Sequence, residues 1–153
     1  MSHSKSITKE FGALKVLVDQ RIQFGSTSDA VVTITPAPTM LADAAATLTV
    51  AQLKTGILIQ TPTTGRTLTL PTAALMKGFL ATVGATVSVT FVNLGEDTNH
   101  ITVQIGSGGA LVGSGVVRDA SAVTDSDSGS ATFKIRMTNI TSSSEAYIVY
   151  RSA

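Results

Sequence analysis

The chain ends in two runs of alternating apolar and polar residues, 131–138 and 146–151, joined by a polar turn. In the first run Phe133, Ile135 and Met137 occupy alternate positions, with polar side chains between them. Successive side chains of a strand point to opposite faces of a sheet, so this pattern predicts one buried and one solvent-facing side. The two runs therefore predict an antiparallel hairpin.

Short strand-like segments recur upstream of this hairpin, and close turns separate them. The clearest helical signal follows Pro71, because Ala, Leu and Met are good helix formers and proline suits a first helical position. We predict one short helix at 72–80, and one further helical turn at 52–53 is left open. Many short strands with evenly spaced turns indicate an all-β sandwich or barrel, and one helix is too few for a parallel α/β sheet. The strand segments are 30–35, 57–60, 67–70, 86–93, 101–105, 110–112 and a short stretch within 113–118.

The first 40 residues look separable from the rest, so we predict an N-terminal arm at 1–40 and a head domain at 41–153. Within the arm, residues 14–24 alternate well enough for a strand. A helix through part of the same stretch is the alternative, and the β-branched content favours the strand. The apolar side of that strand is formed by Leu14, Val16, Val18, Ile22 and Phe24.

Composition narrows the classes of function. Only 14% of the 153 residues are charged, the formal net charge is +1, and there is no cysteine. Disulfide frameworks and thiolate sites are thereby excluded, and no basic excess favours nucleic acid. No run reaches the length of a signal peptide core or a membrane span. Low charge with abundant Thr and Ser predicts a surface covered in an assembly; the alternative is that hydroxyls alone keep the protein soluble.

Candidate metal and catalytic residues are few. His100 lies near Glu96 and Asp97, and the 119–127 loop carries Asp119, Asp125 and Asp127 without EF-hand spacing. Both groups are more typical of solvated turns. Gly106–Gly109 lacks the residues of a phosphate loop and predicts a hairpin turn, and Ser114 lacks the nucleophile-elbow pattern. We therefore predict no catalytic residue, no metal and no cofactor.

Two residues of the closing hairpin are candidates for partner binding. Arg136 lies on the polar side of its run, and a planar guanidinium suits carboxylates across a subunit contact. A solvated outer face is the alternative. Tyr147 and Tyr150 lie three apart and must point to opposite faces, so one is buried and the other is available to a neighbour or a glycan. The predicted partner-binding residues are Leu14, Val16, Val18, Ile22, Phe24, Arg136 and Tyr150.

The sequence of residues 48–57 (LTVAQLKTGI), followed by that of residues 65–73 (GRTLTLPTA), resembles sequences of virion structural proteins of tailed phages, notably marine phages and cyanophages, and of some algal-virus proteins. The match continues through 87–93, 99–103 and 133–140. It covers about residues 41–152, and the order of these segments carries it more than any single one. Residues 1–40 lie outside it.

This resemblance implies a jelly-roll-like head. Together with the strand and helix pattern, it predicts an all-β fold, a jelly-roll-like antiparallel β-sandwich with one short helix. The extended N-terminal arm is predicted from the residues alone, because nothing in the resemblance transfers to it. The resemblance also implies a non-enzymatic capsid cement or decoration protein, often trimeric, made in the host cytoplasm and placed on the outer capsid surface. The expected partners are further copies of the chain and the major capsid protein, with no nucleic acid and no membrane. An arm strand would add to an exposed sheet edge. The alternatives are a receptor- or glycan-binding tip of a tail fibre and, from another class, a small hydrolase.

Overall fold

A computed structural model describes residues 36–96, 99–119 and 129–152. The arm residues predicted to bind partners (Leu14, Val16, Val18, Ile22 and Phe24) lie outside the described residues. Within them the chain forms ten strands and two short helices. In chain order these are β1 (Thr39–Met40), β2 (Ala46–Thr47), α1 (Val50–Leu53), β3 (Ile57–Gln60), β4 (Arg66–Thr69), α2 (Ala73–Lys77), β5 (Thr86–Asn93), β6 (Ile101–Gln104), β7 (Gly109–Val112), β8 (Val116–Val117), β9 (Ser130–Asn139) and β10 (Ala146–Arg151).

The strands form two sheets, and the chain alternates between them from β1 to β6. One sheet has the order β1-β3-β5-β9-β10-β7 and the other β2-β4-β6-β8. Each time the chain comes back to a sheet, the new strand lies parallel to the previous strand of that sheet, as in a β-solenoid. We call the chain between two such strands a return. The first return leads from Thr39 to its partner Leu58, and the second from Leu58 to Phe91. The second is longer because α2 lies within it, which explains why the sequence shows no fixed period.

The strand-rich, two-sheet character predicted from the sequence is confirmed, but the sheets are mixed rather than antiparallel. Among the described pairings, five are parallel and three are antiparallel. The prediction assumed that parallel strands need long crossover helices. Here the crossover passes through the opposite sheet instead, so the connections require only short loops, α1 and α2. The sequence predicted one short helix, and the described residues form two. The additional helix, α1, begins with a capping box in which Thr49 and Gln52 satisfy each other's backbone N–H groups.

The predicted closing hairpin is confirmed as β9 paired antiparallel with β10. Phe133, Ile135 and Met137 are fully buried, while Lys134 and Arg136 on the other face are exposed. Strand β9 also pairs antiparallel with β5, and β8 pairs antiparallel with β6. The C-terminal strands therefore close the parallel winding at its β5 and β6 end. By contrast, Gly106–Gly109 does not form the predicted hairpin, because β6 and β7 belong to different sheets.

Two buried amides stabilise the passages between the sheets. Gln60 and Asn93 end β3 and β5, are paired in register, and are both fully buried. The Gln60 side chain donates to the carbonyl oxygens of Ala42 and Ala44 at 2.6 and 3.0 Å. These bonds attach the turn between β1 and β2 to the end of β3. The head domain was predicted to begin at residue 41. Strand β1, which lies before that residue, already pairs with β3 in the six-stranded sheet.

An ion pair fastens this same turn to the start of β4. The Asp43 carboxylate accepts hydrogen bonds from the Arg66 guanidinium at 2.7 Å and from Thr63. Hydrogen bonding by Arg66, and then by Thr63, holds the pKa of Asp43 well below its ordinary value. The ionised form is therefore favoured in the folded state.

We expect this pair to make stability pH-dependent in acid. A carboxyl with a depressed folded-state pKa contributes stability above its unfolded pKa, about pH 4, and loses that contribution as the pH falls further. Thermal melts of the native chain and of Asp43→Asn, recorded from neutral pH downward, should converge as the solution becomes acidic. A constant gap between the two melting temperatures across that range would contradict the expectation.

Candidate functional site

The two candidate residues of the hairpin lie on the solvent-facing side of the six-stranded sheet. We call this side the outer face. Strand alternation and register place on it both apolar and hydroxyl side chains together with two cations. Its residues are Met40, Ile57, Ile59, Thr86, Ser88, Thr90, Val92, Ala110, Val112, Thr132, Lys134, Arg136, Ile148 and Tyr150.

The register brings Arg136 and Tyr150 into adjacent rows of this face. Arg136 lies opposite Ile148, and Lys134 lies opposite Tyr150, which pairs in turn with Val112 on the edge strand β7. The sequence predicted that one of the two tyrosines is buried and the other exposed; the structure buries Tyr147 and leaves Tyr150 36% exposed. Arg136 and Tyr150 both face solvent, and partner binding by them stays a prediction.

The outer face combines exposed apolar groups with two cations. Met40 is 64% exposed, Val112 is 53% exposed and Ile57 is 39% exposed. Lys134 and Arg136 are its charged residues, and none of the residues that define the face is a carboxylate. Val112 lies beside Tyr150, whereas Met40 and Ile57 lie on β1 and β3, across β5 from Lys134 and Arg136. Exposed apolar side chains on a face that also carries a tyrosine and an arginine are typical of surfaces that bind another protein.

A separate pocket of about 330 Å³ lies beside the start of α2. We call it the hydroxyl pocket. It is lined by the hydroxyl residues Thr72, Ser107 and Ser143, by Glu145, and by the small residues between them. Three segments meet here: the N-terminal end of α2, the turn before β7 and the turn between β9 and β10. The parallel pairing of β7 with β10 brings the last two together.

Charge in the hydroxyl pocket is balanced by an ion pair. The Lys77 ammonium donates to Glu145 Oε1 at 3.3 Å and to the Ser142 hydroxyl at 3.1 Å. Hydrogen bonding by the backbone N–H of Glu145 itself, and then by Lys77, lowers the pKa of the Glu145 carboxyl. Glu145 is therefore an ionised acceptor at neutral pH. The pocket offers hydroxyl donors and acceptors with little net charge.

Those metal and catalytic candidates that the structure describes are not brought together. In the parts of the chain that the structure describes, no three side chains of His, Asp or Glu gather as a metal site. His100 is half-buried, and Asp119 is 1% exposed rather than part of an open loop. Asp97, Asp125 and Asp127 lie outside the described residues.

Sequence reasoning missed the hydroxyl pocket. Ser107 and Ser143 were both interpreted as ordinary turn residues. Glu145 lies between the predicted turn and the last strand and was not among the candidate residues. Their proximity depends on β7 lying beside β10, a long-range pairing that local pattern does not encode. The signal that was available is the clustering of Ser and Gly at both turns.

One wall of the pocket contains an unfavourable backbone conformation. Ser143 has φ of 67°, the one positive φ among the described residues other than glycine. Glycine adopts this region without steric cost, so Ser143→Gly should raise the free energy of unfolding by about 0.5–1 kcal/mol. Urea denaturation measures the change. The control is Ser144→Gly, because Ser144 has no positive φ and its replacement by glycine should be neutral or destabilising. Equal stabilisation by both variants would contradict this expectation.

Comparisons with protein-family models, with curated proteins and with solved structures gave no match. Over the described ranges, none of the helices is both long and apolar enough to span a bilayer. The candidate sites therefore stand on their geometry alone.

Proposed function

We propose that this protein is a non-enzymatic structural protein of a virus particle, which cements or decorates the outer surface of a phage capsid as a homotrimer. Its partners in this proposal are further copies of itself and the major capsid protein. The single observation that carries the proposal is the outer face, which exposes Val112 and Tyr150 beside the two cations of β9 and exposes Met40 and Ile57 on β1 and β3. The ordered resemblance to virion structural proteins supports the same assignment.

The outer face has the composition of a contact surface. Binding energy in protein interfaces concentrates in buried tyrosines and arginines, and Tyr150 and Arg136 are of these types. Exposed Val112 beside Tyr150 supplies apolar area that a partner would remove from water. Lys134 and Arg136 favour a partner that brings carboxylates, because desolvated cations need opposite charges.

The fold supports the proposal in part. Two packed sheets agree with the sandwich head that the resemblance implies, and the parallel winding from β1 to β6 is the feature that departs from a jelly roll.

Light scattering on the full chain tests the proposal. We expect the mass of a trimer, and we expect Arg136→Ala with Tyr150→Ala to weaken attachment to empty capsids of the source virus in co-sedimentation. A matched pair on the other sheet, Thr102→Ala with Gln104→Ala, should leave attachment unchanged because those exposed side chains lie away from the outer face. A stable monomer that does not sediment with those capsids would overturn the proposal.

A further inference from the structure

We propose that the hydroxyl pocket binds one neutral sugar ring. Thr72, Ser107 and Ser143 bring three hydroxyl groups to its lining, and Glu145 adds a carboxylate. Sugar hydroxyls donate and accept hydrogen bonds, so they match a lining that does both. This inference is independent of capsid attachment, because the hydroxyl pocket shares no residue with the outer face.

The electrostatics of the pocket favour a neutral ligand. The Lys77 ammonium and the Glu145 carboxylate already pair at 3.3 Å. An anionic ligand would meet Glu145, and a cationic ligand would displace Lys77 from its partner. A neutral hydroxyl leaves the pair intact and still gains a charge-assisted hydrogen bond to the carboxylate, which is stronger than a bond between neutral groups.

The size and the lining exclude large apolar ligands. About 330 Å³ lies at the lower end of the range of roughly 300–1,000 Å³ typical of small-molecule sites, which fits a single ring. The apolar lining consists of the small side chains of Ala73 and Ala74. Ala73 is only 2% exposed, so the two alanines offer too little area to hold an aromatic or aliphatic ligand.

The pocket is built before any ligand arrives. A Cβ atom on Gly108 would lie 2.6 Å from the Glu145 carbonyl oxygen and 2.7 Å from Ala73 Cβ, so the backbone segments are in close contact. The buried Tyr147 hydroxyl donates to the Pro71 carbonyl at 3.0 Å and accepts from the Gly106 N–H at 2.8 Å. These contacts fix the segments that carry the hydroxyl groups, which lowers the ordering cost of binding.

Saturation-transfer NMR on the full chain tests the inference with free glucose, galactose, mannose and N-acetylglucosamine as probes. We expect transfer from at least one of these sugars. Ser107→Trp places an indole in the pocket and should abolish the transfer. The control Thr64→Trp makes the same change at an exposed turn residue away from the pocket and should retain it.

A second pair of variants tests the chemistry of the site. Glu145→Gln keeps the shape of the side chain. It should raise the dissociation constant of the sugar about tenfold, because the charge-assisted hydrogen bond is lost. Glu96→Gln removes an exposed carboxylate elsewhere and should change nothing. Thermal melts establish that each variant is folded. The inference is overturned if no sugar gives transfer, or if transfer persists in folded Ser107→Trp.

Discussion

Replacing Asn93 by alanine should lower the free energy of unfolding by about 3–5 kcal/mol. The Asn93 amide group donates to the carbonyl oxygens of Asn99 at 2.8 Å and Val117 at 3.1 Å. Its oxygen accepts the N–H of Gly95 at 2.8 Å. Removing the side chain leaves these backbone groups without their partner in a site where Asn93 is fully buried.

The effect is large because one side chain joins three segments. The loop after β5, the start of β6 and strand β8 all contact the same amide. A buried polar group without a partner costs about 1–3 kcal/mol, and the lost bonds here share one cavity, so the total is less than their sum.

Urea denaturation followed by circular dichroism measures the loss. Gln104→Ala is the matched control, since it removes an exposed amide from neighbouring β6 and should change stability by no more than about 0.5 kcal/mol. Equal effects from the buried and the exposed amide would show that the Asn93 bonds do not stabilise the fold.

Truncating Phe133 to alanine should cost about 3–5 kcal/mol, the range for a large aromatic in a packed core. Phe133 is fully buried on β9, between the paired strands β5 and β10. Its ring meets Phe91 edge to face, with ring centres 5.6 Å apart and an angle of 85° between the planes. The variant therefore loses buried apolar area and a favourable ring contact, and leaves a cavity.

A double-mutant cycle separates the ring contact from the cavity. Phe91→Leu, Phe133→Leu and the double variant keep most of the apolar volume and remove one or both rings. Edge-to-face pairs contribute about 0.5–1.5 kcal/mol beyond burial, and we expect a coupling energy in that range. Val112→Ala, on the exposed edge strand, is the control for a small effect. Additive single effects would contradict a specific ring contact.

Local pattern predicted the strands well but not their order. Alternation around Phe133 and Ile135 identified both faces of β9, because side-chain period is a local property. The parallel pairing of Leu58 with Phe91 depends on where the intervening chain crosses to the other sheet. No run of neighbouring residues specifies that crossing. The amide residues Gln60 and Asn93, which end β3 and β5 and lie side by side, are a sequence signal of these crossings.

The candidate sites divide in the same way. Arg136 and Tyr150 were found because they stand on a single hairpin, whose faces follow from alternation. The hydroxyl pocket was missed because Ser107 and Glu145 belong to turns far apart in the chain. Their approach requires β7 to lie parallel to β10, and that pairing closes only after the intervening residues have been placed.

The order of the strands has a consequence for synthesis on the ribosome. Strand β9 covers the edge of β5, and β10 covers β9, so elements that complete the larger sheet are translated well after β5. Until they emerge, the nascent chain presents the edge of β5 with unpaired backbone groups, a template on which another unfinished copy is able to pair. Prompt pairing of β9 with β5 therefore protects each newly made molecule from aggregation with its neighbours on the same message.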